Sequence, residues 1–232
     1  TSYEQRLAWL QAQGITGIYN YGSQPKAGLQ LLGIGYCGVV LLAARQGQPV
    51  ALKLRRWDAP QASLQREAEA LSAANRVAVG PRLMGHSADI LIMDYCPGPG
   101  LMQWLETERP GLDRVWPVLH SLLDQAFRLD QSGWDHGDLR CVTEHVRVWG
   151  DRPRIIDFSR ASQDRRPANV TTLVQGIWIG TAIAATLQRQ YPSTSLAQGA
   201  APHRQPLIQH LRQYKLAPSD NTYQVLLNFL KP

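Results

Sequence analysis

The sequence has few cysteines, no internal repeat and no low-complexity segment. Its three cysteines are Cys37, Cys96 and Cys141, and none of them belongs to a CxxC motif or a Cys/His pair with metal-ligand spacing. This sparse, odd count argues against a disulfide framework and against a structural zinc site. Residues 1–13 are polar and lack the apolar core of a signal peptide. We therefore expect a reducing, cytoplasmic setting.

Long apolar runs are also scarce, and one segment is the exception. Residues 170–187 carry no charge and approach the length of a membrane span. The segment contains Gly176 and Gly180 in the GxxxG spacing that is found where membrane helices pair. Its Thr, Gln and Gly residues make it only weakly apolar. We therefore predict one helix buried in the protein core, and no membrane span.

Negative charge is under-represented. The 232 residues include 24 Lys and Arg against 18 Asp and Glu, a formal net charge of +6, and 44% of them are hydrophobic. That apolar content is enough for one two-lobed domain or two small ones. The basic balance suits an anionic ligand, an acidic partner or RNA, and it suits a basic protein without such a partner equally well. Five arginines predict either a basic face or a solvated surface: Arg152, Arg154, Arg160, Arg165 and Arg166.

The first part of the chain has the pattern of an antiparallel sheet. Residues 2–13 predict a helix that begins with a Ser2-x-x-Gln5 capping box, and residues 15–27 are rich in turns. A second helix is predicted over residues 63–75. Apolar runs between turn signals predict five strands, over residues 28–34, 38–44, 50–54, 81–84 and 90–94.

Three glycines occur at GxGxxG spacing at the start of this sheet, namely Gly33, Gly35 and Gly38. Alone, this spacing is a weak signal. A dinucleotide-binding fold opens a helix directly after such a turn, whereas residues 39–42 here are Val-Val-Leu-Leu and predict a strand. The pattern therefore favours a glycine turn between two antiparallel strands that covers phosphates.

A lysine and a glutamate occupy positions that face the predicted core. Lys53 lies inside the third predicted strand, where it is either an edge charge or a fixed cation. Glu67 falls in the apolar stripe of the second helix, three residues after Leu64 and four before Leu71. An inward-facing carboxylate needs a partner. We predict a Lys53–Glu67 ion pair, with a partly exposed Glu67 as the alternative.

The second part of the chain reads as mostly helical. Two prolines and two glycines in residues 96–100 predict a hinge, so we place the domain boundary between residues 1–95 and 96–232. Helices are predicted over residues 101–107, 112–131, 204–214 and 219–230, with a hairpin over 146–158 and a loop over 191–202.

The remaining motifs lie on either side of that hairpin. They are His136-Gly137-Asp138-Leu139 and Asp157-Phe158-Ser159, and they follow the glycine turn, Val50-Ala51-Leu52-Lys53 and Glu67 in chain order. In this order and spacing the sequence resembles the protein-kinase-like superfamily over about residues 28–190. It is most similar to small atypical microbial kinases of the RIO type and to related predicted serine/threonine kinases. The resemblance implies an α+β, bilobal fold with a small five-stranded antiparallel N-lobe, one main N-lobe helix and a reduced, mostly helical C-lobe.

The resemblance implies an ATP-dependent phosphotransferase that acts on a serine or threonine of a protein. It makes Asp138 the acceptor of the hydroxyl proton, with Lys53 and Arg140 as the catalytic cations. ATP and Mg²⁺ are the implied cofactors, with Mn²⁺ as an alternative metal. Roles in nucleotide binding are implied for Gly33, Gly35, Gly38, Val40, Lys53, Glu67, Asp94 and Cys96.

Two departures from the kinase pattern concern the metal site. Asp157 resembles the metal-binding aspartate, but Thr143 stands where kinases place a metal-binding asparagine. His145 is then a second candidate ligand, although it could simply pack or cap the loop, and an imidazole suits Mn²⁺ better than Mg²⁺. Ser159 replaces the glycine that ordinarily follows. A nucleotide-binding pseudokinase that scaffolds a partner and a small-molecule kinase remain alternatives, and similarity to RIO kinases implies RNA as a further partner.

Overall fold

The structure is a computed structural model of the chain, and it describes residues 2–197 and 204–232. The fold is mixed α+β with antiparallel sheets. The chain divides into two compact units. The first unit consists of residues 1–76 and 80–96, and the second of residues 77–79 and 97–232.

The first unit is built around one antiparallel sheet. In the described residues this sheet has the strand order β1-β5-β6-β8-β7, with β4 also paired to β5, and β2 and β3 form a separate ribbon. Its elements are α1 (Tyr3–Ala12), β1 (Ile15–Tyr19), β2 (Gln24–Lys26), β3 (Leu29–Leu31), β4 (Gly33–Ile34), β5 (Gly38–Arg45), β6 (Gln48–Arg55), α2 (Gln65–Arg76), β7 (Leu83–His86) and β8 (Ile90–Asp94).

The prediction of five strands is wrong, because this sheet has six strands in the described residues. The additional strand, β1, lies where turns were predicted and pairs with β5 from Ile15 opposite Arg45 to Tyr19 opposite Leu42. β1 lies at the end of the strand order and its residues are mostly exposed. An exposed edge strand lacks the apolar alternation that marks a half-buried strand. The strand predicted over residues 28–34 is also divided, into β3 and β4.

The core of the first unit comes from alternating residues of three central strands. Side chains at every second position point to the same face of a sheet, and this cluster lies on one face, while Leu91 on the other face packs in a second cluster with Leu64 of the segment before α2. α1 adds Leu10 to this core, and its predicted Ser2–Gln5 capping box is confirmed. The buried strand residues of this cluster are Leu31, Leu41, Ala43, Val50, Leu52, Ile90 and Ile92.

The second unit is mostly helical and contains one short hairpin, β9 paired with β10. The long helix predicted over residues 112–131 is confirmed, and its apolar stripe is buried. The elements are α3 (Leu101–Glu108), α4 (Leu112–Gln131), α5 (Val142–His145), β9 (Val146–Trp149), β10 (Arg152–Ile155), α6 (Asn169–Trp178), α7 (Ala182–Gln190), a 3₁₀ turn (Ser195–Ala197), α8 (Arg204–Leu216) and α9 (Asp220–Leu230). Part of the loop predicted over residues 191–202, residues 198–202, lies outside the described residues.

The uncharged segment forms two helices rather than the one predicted. α6 and α7 meet at an angle of 60°. Gly180 between them has a φ of +66°, which favours glycine, and Thr181 Oγ1 accepts a hydrogen bond from Ala184 N and so begins α7. Within the described residues, no single helix is long and apolar enough to cross a membrane, although this bent pair passes that test when taken together.

Candidate functional site

The glycine turn of the first unit joins β4 to β5. Gly33 pairs with Val40, and Gly35 N donates to Gly38 O at 2.8 Å, which closes the turn. A Cβ at Gly38 would lie 2.6 Å from Leu54 O, whereas at Gly33 and Gly35 the nearest atoms are 4.0 and 3.6 Å away. Gly38 is therefore needed for close packing of β5 on β6, while the backbone at Gly33 and Gly35 is not covered in this way.

The predicted ion pair between Lys53 and Glu67 is confirmed. Lys53 lies on β6 between Val40 of β5 and Leu91 of β8. Its Nζ is 2.6 Å from Glu67 Oε1, and the two side chains are only 5% and 6% exposed. The alternative of a partly exposed Glu67 is wrong. Since both groups are removed from water, the ammonium is held in one position at the centre of the sheet.

The two residues predicted to lie at the adenine edge are at the end of β8 and just beyond it. Asp94 N donates to Arg82 O at 3.0 Å, and Asp94 Oδ1 is 3.6 Å from Arg82 Nε. Cys96 Sγ lies 3.9 Å from Asp94 O. These contacts fix the end of the strand, and the adenine-binding role of the two residues stays a prediction.

The second unit holds the His136–Asp138 loop through contacts to His136. His136 N donates to Asn169 Oδ1 at 2.8 Å, and its Nε2 donates to Ile156 O at 3.1 Å. The ring also packs on Phe158, with 4.9 Å between ring centroids. The buried histidine thus joins the loop to α6 and to the segment that carries Asp157.

Asn169 braces this loop from the first residue of α6, but its side chain does not cap that helix. Asn169 Nδ2 donates to Trp134 O at 2.7 Å and to Asp130 Oδ1 at 2.8 Å. The N-terminus of α6 is satisfied instead by Asp130, which accepts from Asn169 N at 2.8 Å and from Val170 N at 3.2 Å. Tyr214 OH donates to the same carboxylate at 2.8 Å. Burial is the main cause that raises the pKa of Asp130.

Burial keeps His136 neutral. Burial first, and then the neighbouring His145, lower the pKa of His136 from 6.5 to about 4, although its hydrogen bond to Ile156 O acts in the opposite direction. Below pH 6.5 the unfolded chain takes up a proton that the folded protein does not accept until about pH 4. The stability therefore decreases as the pH falls through this window.

We expect the free energy of unfolding to decrease by roughly 3 kcal/mol between pH 6.5 and pH 4 on account of His136. The measurement is urea unfolding at a series of pH values. His136→Gln replaces the imidazole N–H with an amide donor that does not titrate, so this part of the pH dependence disappears. His86→Gln is the control, because His86 is exposed. An equal pH slope in His136→Gln and in the native protein would contradict the prediction.

Asp138 lies beside two basic side chains. Its Oδ2 is 3.3 Å from His145 Nε2 and 3.7 Å from Arg160 Nε. Arg140, the predicted cation, is exposed, and no described residue forms a hydrogen bond or ion pair with its side chain. Sequence reasoning missed Arg160, because it follows Asp138 by 22 residues and carries no local signal of proximity. The one signal in the sequence for a place near the site is that Arg160 directly follows Asp157-Phe158-Ser159.

Among the five arginines predicted to form either a basic face or a solvated surface, Arg165 and Arg166 make hydrogen bonds within the second unit. Arg165 Nε donates to Asp135 Oδ2 at 2.7 Å, and its Nη2 donates to Arg160 O at 2.5 Å. Arg166 Nη2 donates to Lys215 O at 2.6 Å, at the end of α8. These two guanidinium groups therefore serve the fold of the second unit.

The two predicted metal ligands differ in their fit to a cation. Asp157 has a φ of +64°, and its Oδ1 accepts from Ser159 N at 3.2 Å. Mg²⁺ is commonly held by one or two carboxylates together with phosphates and water, which Asp157 fits. If His145 bound a metal through Nε2, that nitrogen would lose its contact with Asp138 Oδ2. Among the described residues, no group of three or more His, Cys, Asp or Glu side chains has the arrangement of a metal site.

The candidate groups thus form one set in each unit. The first unit holds the glycine turn and the Lys53–Glu67 pair. The second holds Asp138, with His145 and Arg160 beside it, and Asp157. Comparison of the sequence with known protein families and with curated proteins finds no match.

Proposed function

We propose that this protein is an atypical serine/threonine protein kinase with a bilobal kinase-like fold, acting in the cytoplasm. The observation that carries the proposal is the buried Lys53–Glu67 pair, which follows the glycine turn on β6 and α2. A buried ion pair is a weak source of stability, because the loss of hydration offsets the attraction. A kinase uses such a pair to fix the lysine that neutralises the phosphates of ATP.

In the proposed reaction, a serine or threonine hydroxyl of a protein substrate attacks the γ-phosphorus of ATP. The new P–O bond forms as the bond to the β–γ bridging oxygen breaks, ADP leaves, and Asp138 accepts the hydroxyl proton. Lys53 neutralises the α- and β-phosphates. Mg²⁺ supplies further neutralisation when bound, with Asp157 as its protein ligand. Positioning provides most of the rate in this kind of transfer.

A nucleotide-binding pseudokinase is the second candidate, and the surroundings of Asp138 favour it. His145 and Arg160 both lie next to the same carboxylate oxygen. A substrate hydroxyl would have to compete with these two side chains for that oxygen before the carboxylate could accept its proton. Thr143 is also a poorer ligand for a hard cation than the usual asparagine. Such a protein would bind ATP and a partner, a protein or RNA, without transferring phosphate.

Two measurements on the purified protein separate these functions. The first follows transfer of label from γ-phosphate-labelled ATP to the protein itself or to a generic protein substrate, with Mg²⁺ and Mn²⁺ compared. The second follows the shift in melting temperature that ATP and each metal produce. Transfer supports the kinase, and stabilisation by ATP without transfer supports the pseudokinase. No stabilisation by any metal–nucleotide combination would contradict both.

A further inference from the structure

We propose that Arg160 forms an anion-binding subsite beside Asp138, which selects protein substrates that carry a carboxylate or phosphate close to the accepting hydroxyl. The inference rests on the proposed phosphotransfer for its substrate class. The binding of an acidic peptide, in contrast, follows from the arginine itself and can be measured without turnover.

The first observation is that the Arg160 guanidinium is available to a ligand. Its side chain is 68% exposed, and its Nε lies 3.7 Å from Asp138 Oδ2, beyond hydrogen-bond distance. Within the described residues its guanidinium forms no hydrogen bond. A planar guanidinium binds a carboxylate or a phosphate through two parallel hydrogen bonds. The donors needed for such a contact are therefore open to water.

The second observation is that the backbone beneath this side chain is held in place. Arg165 Nη2 donates to Arg160 O, and the same guanidinium is paired with Asp135 through Nε. Gly137 lies against this carbonyl, since a Cβ at Gly137 would be 2.5 Å from Arg160 O. The backbone of Arg160 is thus attached to the loop that carries Asp138, which keeps its side chain within reach of the proposed proton acceptor.

The third observation is that Arg160 differs from its basic neighbours in this loop. Arg165 and Arg166 use their guanidinium groups for hydrogen bonds within the second unit. Arg160 instead places an exposed cation next to a carboxylate that would otherwise repel an acidic substrate. The Arg160 guanidinium attracts a carboxylate or phosphate of the substrate, whereas it repels a substrate lysine at the same place.

The test compares peptides that contain one serine flanked by glutamate, by phosphoserine, by glutamine or by lysine. Affinity is measured by fluorescence anisotropy, and kcat and KM for peptide and for ATP are measured where transfer occurs. We expect the native protein to bind the glutamate peptide about fivefold more tightly than the glutamine peptide, as for a solvent-exposed charge pair.

Arg160→Glu reverses this preference toward lysine, and Arg160→Lys retains part of it. Arg212→Glu is the matched control, because it makes the same charge change at an exposed position on α8.

The outcomes separate this proposal from the proposed function. Equal affinity of the native protein for the glutamate and glutamine peptides overturns the subsite, whether or not phosphate is transferred. An equal effect of Arg160→Glu and Arg212→Glu overturns it as well, since overall charge would then be the cause. A rise in the KM for ATP, with an unchanged ratio between peptides, assigns Arg160 to the nucleotide and also overturns it. A reversed peptide preference without any transfer supports the subsite and contradicts the kinase.

Discussion

Asp138→Asn is expected to reduce kcat for phosphotransfer by about 10²- to 10⁴-fold, the usual contribution of a general base. An amide has nearly the shape of the carboxylate and can still accept a hydrogen bond from His145, 3.3 Å away. It cannot, however, accept the proton of the attacking hydroxyl. Steady-state transfer to a peptide gives kcat, and thermal unfolding shows that the variant remains folded.

The control for this variant is Glu144→Gln, which removes the same charge from an exposed position on α5, six residues further along the chain. We expect it to change kcat by less than about twofold, since an exposed carboxylate is well screened. ATP should still raise the melting temperature of Asp138→Asn, because the phosphate-binding groups are unchanged. If Asp138→Asn retains more than one third of the native kcat, Asp138 is excluded as the proton acceptor.

Single replacement of Lys53 by methionine, or of Glu67 by leucine, is expected to lower the free energy of unfolding by about 3–5 kcal/mol. The two side chains are almost fully buried and 2.6 Å apart. Removal of either one takes away the close partner of a charge that stays in the interior, which is the main cost. Urea unfolding measures this loss directly.

The double variant Lys53→Met/Glu67→Leu separates the structural role of the pair from its role toward ATP. Two apolar side chains of similar size remove both charges at once, so stability should return to within about 1 kcal/mol of the native value. Stabilisation by ATP should nevertheless be lost, because no cation remains for the phosphates. Glu69→Gln on the exposed face of α2 is the control and should cost at most about 0.5 kcal/mol. A double variant that is stabilised by ATP like the native protein would remove the observation that carries the proposed function.

Local patterns predicted those elements whose signals are contained in neighbouring residues. The capping box of α1 and the full length of α4 follow from side chains three and four positions apart. The Lys53–Glu67 pair also follows from periodicity, because a carboxylate in an apolar stripe must meet a partner. These predictions needed only the phase of a helix or a strand.

Long-range contacts decided the features that the patterns missed. β1 is mostly exposed, so its pairing with β5 leaves no strong apolar alternation in the sequence. The break between α6 and α7 is instead local, because Gly180 has a positive φ and Thr181 caps α7, within a run that contains no charged residue. The cation next to Asp138 is Arg160 and not the sequence-adjacent Arg140, since the chain returns to this loop only after the β9–β10 hairpin.

The sequence by itself determined the strand–glycine turn–strand and the pairing of Lys53 with Glu67, because both depend on short-range periodicity and on the cost of burying charge. The tertiary structure decided how the groups around Asp138 are arranged. His145 and Arg160 lie beside its carboxylate, and Asn169 holds the same loop through His136 and Trp134. Those contacts join residues 7 to 35 positions apart, and only the folded chain brings such residues together.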